Sequence, residues 1–204
     1  MRIVTSEFVT SSANVDNCPD PKLAEFAFIG RSNVGKSSLI NMLCQNSKLA
    51  KTSGTPGKTQ LINHFIINKE SGPWFLVDLP GYGFAKAPKK EQAKWMNFTR
   101  YYLRNRLNLM CTMVLLDGRH SPQKRDLEFM EWLGTNEVPF VMVFTKLDKL
   151  NQKEKAQYIE IYEKEMLKTW ETMPETFHTS ASTATGKEEL LNFIGETIKL
   201  FNQD

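Results

Sequence analysis

The sequence predicts a three-layer α/β domain in which a mainly parallel β-sheet is covered by helices on both faces. Three observations predict it. Short runs rich in Val, Ile, Leu and Phe recur through the 204 residues, and unbroken apolar strands of this kind are buried on both sides. Longer amphipathic stretches separate them, the alternation that crossover units produce. A chain of this length also suits one full hydrophobic core better than two.

Residues 1–22 read as a short amino-terminal arm, and residues 23–204 as the single domain. "EFAFIG" (Glu25–Gly30) is a strand that ends in a glycine-rich turn. "SSLINMLC" follows as a helix, with Leu39, Ile40 and Leu43 at helical spacing. "QLINHFIIN" and "WFLVDLPG" are strands divided by the turn "KESGP". That link is too short for a crossover, so the two pair antiparallel. A helix runs through "KEQAKWMNFTRYYLRNRL", and "CTMVLLDG" is a buried strand. "SPQKRDLEFMEWLG" is a helix with Pro122 at its start and Gly134 at its end. The strand "VPFVMVFTK", the helix "QKEKAQYIEIYEKEMLKTW", the short strand "ETFHTSA" and the helix "GKEELLNFIGETIKLF" complete the chain. The polar loop from Ser47 to Thr59, with Gly54, Pro56 and Gly57, lacks periodicity and reads as a mobile functional loop.

Composition narrows the class. Cys18, Cys44 and Cys111 are an odd count in no metal-ligand spacing and read as reduced thiols. The amino terminus lacks the apolar core of a signal peptide, and no apolar run is long enough to span a membrane. A cytoplasmic protein without membrane contact is expected. The net charge of +3 is unevenly spread: Lys48 to Arg106 holds eleven basic and three acidic side chains, a net +8, leaving −5 elsewhere. Such asymmetry suits either a polyanion-facing surface or a solvated face.

Gly30-Arg31-Ser32-Asn33-Val34-Gly35-Lys36-Ser37 satisfies G-x-x-x-x-G-K-[ST] after a strand and at the opening of a helix. Glycines there let backbone N–H groups wrap phosphates. Lys36 then reaches the β- and γ-phosphates, and the Ser37 hydroxyl coordinates Mg²⁺. The chain is therefore expected to bind a nucleoside triphosphate. Asp78-Leu79-Pro80-Gly81 closes a strand, where the carboxylate holds Mg²⁺ through water and Gly81 offers its N–H to the γ-phosphate. In Thr145-Lys146-Leu147-Asp148 the carboxylate accepts from N1–H and the 2-amino group of guanine, donors that adenine lacks. Lys146 lies along the base, and Thr179-Ser180-Ala181 offers N–H groups to guanine O6.

The order GRSNVGKS, PGKTQ, DLPGYGFAK, TKLD, TSA resembles the bacterial EngB/YihA/YsxC family of ribosome-assembly GTPases across essentially the whole chain. The resemblance implies a six-stranded Ras-like G domain with one antiparallel edge strand, and a monomer that hydrolyses GTP with Mg²⁺. It implies a partner in the large ribosomal subunit or its precursor, and a link to cell division and septation. It adds Ser38 after the phosphate loop and the segment Gly57, Lys58, Thr59, Gln60 and Leu61 to the nucleotide contacts. Thr59 would be the switch threonine on Mg²⁺ and the γ-phosphate, with Thr52 and Thr55 as alternatives that spacing leaves open. Thr145 stands where most GTPases have asparagine, which implies a weaker tie to the phosphate loop. Tyr82 stands where Ras-like enzymes carry a water-orienting glutamine, so no catalytic side chain is assigned and slow intrinsic hydrolysis is expected. Some GTPases that lack the glutamine carry asparagine at the position of Asn33 to help bind K⁺ beside the phosphates. A nucleotide kinase and a binding module with negligible turnover are the alternative readings.

Overall fold

The computed structural model describes residues 1–51, 61–82 and 89–203, with side chains of the last span from residue 93 onward. Among the described residues seven strands appear: β1 (Ser6–Ser12), β2 (Glu25–Gly30), β3 (Ile62–Ile67), β4 (Trp74–Asp78), β5 (Leu109–Asp117), β6 (Phe140–Thr145) and β7 (Thr176–His178). Between them run α1 (Lys36–Cys44), α2 (Lys89–Asn105), α3 (Lys124–Thr135), α4 (Gln152–Met166) and α5 (Lys187–Phe201). The strands form one sheet in the order β1-β3-β4-β2-β5-β6-β7.

Parallel pairing joins β4, β2, β5, β6 and β7, while β3 is antiparallel to both β4 and β1. The three-layer α/β class therefore stands, but the sheet has seven strands where six were expected. The additional strand comes from the segment read as an arm. Its outward residues Phe8 and Val9 are exposed, so it has no buried apolar face to announce it. What pins it is its antiparallel pairing with β3, polar bonds from a residue distant in the chain, and one buried side chain. The Asn68 side chain accepts from Val4 N at 2.7 Å and donates to Arg2 O at 2.8 Å, and Ile3 enters the core. The antiparallel strand β3 is thus not the edge.

Alternation along β2 divides the core. Phe26 and Phe28 pack with Leu39, Ile40, Leu190 and Ile194 on the α1/α5 side. Ala27 and Ile29 face Tyr102, Phe129 and Tyr162 on the side of α2, α3 and α4. Both faces of β2 and β4 are buried along their whole lengths, the burial that a central parallel strand requires.

Two boundary readings change. Helix α3 begins after Pro122 and runs through Gly134. A Cβ at Gly134 would lie 2.6 Å from the Trp170 ring, so this glycine permits a close approach and does not cap the helix. The first part of the loop expected to be mobile is bonded to α1: Asn41 accepts from Ala50 N at 2.7 Å and donates to Ala50 O at 3.0 Å. The remainder of that loop, with Thr52, Thr55, Gly57, Lys58, Thr59 and Gln60, lies outside the described residues.

At the amino-terminal ends of the parallel strands sits a buried ionic group. Glu25, fully buried, accepts from Tyr102 Oη at 2.6 Å and from Arg106 Nε at 2.9 Å, with His64 Nε2 3.4 Å away. Burial alone would raise its pKa, but His64, Arg106 and Tyr102 outweigh it and hold the carboxyl at about 2. This group ties α2 and β3 to β2 at the far end from the glycine-rich turn.

Candidate functional site

At the opposite, carboxyl-terminal edge of the sheet, the turns after β2, β4, β5, β6 and β7 come together, the usual place for a ligand in an open α/β sheet. The phosphate loop leaves β2 at Gly30, where a Cβ would lie 2.8 Å from Leu115 O, so only glycine clears strand β5. Asn33 at φ +62° and Gly35 at φ +106° take left-handed conformations. These turn the chain so that α1 begins at Lys36 with its amino-terminal N–H groups facing the loop. Ser37 and Ser38 follow in the first turn, Ser37 half-buried and Ser38 exposed.

The Asp78-Leu79-Pro80-Gly81 turn lies directly against this loop. Leu79 N donates to Phe28 O at 3.0 Å, and Tyr82 N donates to Gly30 O at 3.2 Å. Arg31 and Tyr82 form a parallel bridge. The Lys36 ammonium pairs closely with the Asp78 carboxylate, and both side chains are largely buried. Lysine and carboxylate from the two phosphate-side motifs therefore share one spot.

Tyr82 does not face that spot. Its ring is buried against Phe129 of α3, with centroids 4.7 Å apart. An aromatic side chain turned into the core does not present its ring to the Lys36–Asp78 pair.

Thr145 makes the tie that its replacement of asparagine put in question. Its hydroxyl donates to Val34 O at 2.6 Å and lies 3.2 Å from Leu116 O. Lys146, at φ +60°, lies across the loop, with its ammonium on Asn33 O and 2.9 Å from Asp117 Oδ2. Asp117 was not singled out from the sequence. It ends β5, and Arg119 grips it through Nε at 2.8 Å. Burial alone would raise its pKa, but Arg119 and Lys146 hold the carboxyl well below the usual range. The available signal was "LLDG", a carboxylate ending a buried strand at the same edge as Asp78.

Asp148 sits in a short 3-10 turn (Leu147–Lys149) with buried Leu147 beneath it. Ser180 Oγ donates to its Oδ1 at 2.7 Å, and Lys149 lies 3.2 Å from its Oδ2. The hydrogen bonds from Ser180 and Ser182 hold its carboxyl at about 2. Thr179 and Ser180 are buried: Thr179 N donates to Phe144 O at 2.7 Å, and Leu147 N reaches Thr179 O at 3.4 Å. A cleft of about 710 Å³ runs between α1 and the turns after β6 and β7, lined by Gly35, Ser38, Thr145, Lys146, Asp148 and Ala181 among others. Its volume suits a nucleotide-sized ligand.

The basic stretch is less uniform than its sequence suggests. Arg106 is turned inward onto Glu25, and the Arg100 guanidinium lies 5.0 Å over the Trp132 ring. Lys94 and Arg104 remain exposed on α2. Phe84 and Lys86 lie outside the described residues, as do the side chains of Lys89 and Lys90. No described helix is long and apolar enough to cross a membrane.

A profile of a family described as 50S ribosome-binding GTPase matches residues 25–146. A probable GTP-binding protein EngB of Flavobacterium psychrophilum is 54% identical over 205 residues, covering 100% of this chain and 97% of its own. The protein of the same name in Christiangramia forsetii is 53% identical over 194 residues, covering 95% and 96%. The crystal structure of a probable GTP-binding protein engB matches with a TM-score of 0.63 at 29% identity, over 86% of this chain and 99% of that one. Era in complex with MgGDPNP and a segment of 16S ribosomal RNA shares the fold, with a TM-score of 0.68 at 23% identity, over 85% of this chain and 56% of that one.

Proposed function

The chain belongs to the EngB family of P-loop GTPases, and on that premise we propose that it is a GTP-operated switch in assembly of the large ribosomal subunit. The observation that carries the nucleotide part is the convergence of three elements on one edge of the sheet. They are the phosphate loop with Lys36, the Asp78–Gly81 turn, and Asp148 with the Thr179–Ala181 segment. The ribosomal part rests on the family description as a 50S ribosome-binding GTPase. A role in septation accompanies it by family resemblance, as do a cytoplasmic location and a monomeric state.

In this reading each residue has a distinct task. Glycine-loop N–H groups and the α1 terminus cradle the β-phosphate, and Lys36 transfers its ammonium from Asp78 to the β- and γ-phosphates. Asp148, kept ionised by Ser180, accepts from the guanine edge. Lys146 lies along the base, anchored on Asn33 O. The donor set fits Mg²⁺: a hydroxyl, Ser37, in the first turn of α1, and a carboxylate, Asp78, paired with Lys36 of the same turn. Mg²⁺ would neutralise charge between the β- and γ-phosphates. Thr59, or one of its neighbours Thr52 and Thr55, would add the switch hydroxyl.

With Tyr82 buried, the contribution to hydrolysis that the described residues offer is fixed charge. Asn33, exposed at the loop apex, is the residue that would help hold K⁺ there. GTP turnover measured in potassium and in sodium buffer, with and without large-subunit precursors, tests both points. The reading expects slow turnover alone, acceleration by the particle, and a higher rate in potassium. Equal rates in all four conditions would contradict it.

A further inference from the structure

Asp117 ends β5 with its carboxylate at only 7% exposure, and both of its oxygens are occupied. Arg119, two residues on, donates to Oδ1 from Nε at 2.8 Å and from its backbone N at 3.2 Å. Arg119 Nη2 donates to Oδ2 at 2.8 Å. A guanidinium that meets both oxygens fixes the plane of a carboxylate. The Lys146 ammonium, from the turn after β6, then donates to the same Oδ2 at 2.9 Å.

Lys146 has a second acceptor, Asn33 O in the phosphate loop. Its side chain is therefore strung between the end of β5 and that loop. The stem crosses close above the loop, since a Cβ built at Gly35 would lie 3.5 Å from Lys146 Cε. Lys146 lines the cleft, and Asp117 is not among the residues that do. A lysine stem is long and flexible, and the entropy of ordering it otherwise falls on the step that binds a ligand.

We infer that Asp117 is a positioning residue for the base site, holding the Lys146 stem across the phosphate loop before a nucleotide arrives. It acts through Lys146 and lines no part of the cleft itself. Because the base is common to GTP and GDP, Asp117 strengthens both equally and takes no part in sensing the γ-phosphate. The inference rests on the reading of Lys146 as lying along the guanine base.

The test uses two variants that change little besides charge. Asp117→Asn keeps the volume and an oxygen for the Arg119 backbone N–H, but removes the charge that holds Lys146. Lys146→Met keeps an apolar stem and removes the ammonium. Affinities for GDP and a non-hydrolysable GTP analogue, kcat and KM for GTP, and Tm are measured for each variant and for the pair. Asp117→Asn should lower both affinities about ten-fold, the scale of one bond between charged groups, with their ratio kept within about two-fold. KM should rise in step while kcat stays unchanged, because the lost binding is common to ground state and transition state. In the Lys146→Met background, Asp117→Asn should change either affinity by less than about two-fold, because its effect passes through the ammonium.

A purely structural Asp117 lowers Tm and leaves the affinities and KM unchanged; that result overturns the inference. So does a loss of the same size with and without the Lys146 ammonium. Lys146→Met alone separates the inference from the reading beneath it. If it leaves both affinities unchanged, Lys146 does not lie along the base, and the inference falls with that reading. If it lowers them and Asp117→Asn does not, Asp117 is not the positioning residue. Should Asp117→Asn fail to fold, Asp117→Glu keeps the charge but displaces it by one methylene. Equal loss of both affinities then supports the inference, and unchanged affinities overturn it.

Discussion

Ser180 Oγ donates a 2.7 Å hydrogen bond to Asp148 Oδ1, so the turns after β6 and β7 share one carboxylate. That carboxyl sits at about 2 and is ionised throughout the neutral range. Asp148→Asn replaces an acceptor with an amide that donates on one side, so guanine should be lost and xanthine gained. Ser180→Ala removes the orienting bond while the carboxyl stays ionised at pH 7, and GTP affinity should fall about two- to ten-fold. Competition of GTP, XTP and ATP for a fluorescent guanine nucleotide checks both. Undiminished GTP binding by Asp148→Asn would place the base elsewhere.

The Thr145 hydroxyl and Val34 carbonyl form a second buried contact across the site, at 2.6 Å. Thr145→Val conserves shape but leaves that carbonyl without its donor, at a cost of about 1–3 kcal/mol. Urea unfolding should report the loss, and GTP affinity should fall in parallel because Val34 belongs to the phosphate loop. A variant as stable as the parent would mean that the contact contributes nothing.

The group around Glu25 makes a pH prediction. Its folded pKa of about 2 lies below the ordinary 4.5, so its contribution is full above about pH 4.5–5 and is lost as pH falls towards 2. Glu25→Gln should flatten the acid limb of the stability curve in that window. Arg106→Gln, which strands Glu25 in the core, should destabilise by about 3–5 kcal/mol at neutral pH. Chemical denaturation across pH 3–7 measures both; an unchanged acid limb in Glu25→Gln would refute the assignment.

The same burial separates structural from docking charges. Reversing Lys86, Lys89 and Lys90 to glutamate, or exposed Lys94 and Arg104, should weaken particle binding and flatten its salt dependence. That dependence should follow a log–log slope of roughly −0.7 to −0.9 per phosphate neutralised. GTP affinity should be nearly unaffected. Sedimentation at graded salt distinguishes this from a merely solvated face, for which neither quantity changes.

What was legible from the sequence follows from where the information is stored. Local periodicity placed most strands and helices, because both faces of β2 and β4 are apolar and α1 and α5 carry regular stripes. Spacing likewise pointed to the phosphate loop and the T-K-x-D turn, whose chemistry is local. The strand β1 was missed because it is held by pairing with the distant β3, and by Asn68 gripping the residues just before it, and it shows little apolar patterning of its own. Asp117 was missed for a related reason: Lys146, 29 residues on, reaches it only once the sheet has folded. Arg100 and Arg106 read as surface charge because sequence alone does not reveal that Trp132 and Glu25 receive them.

The central claim is that nucleotide state controls attachment to the large ribosomal subunit. Sedimentation of the chain with purified large-subunit precursors, in a non-hydrolysable GTP analogue and in GDP at one fixed salt concentration, tests it most directly. Co-sedimentation with the analogue and release in GDP is the predicted result. Equal attachment in both nucleotides, or none in either, would contradict it.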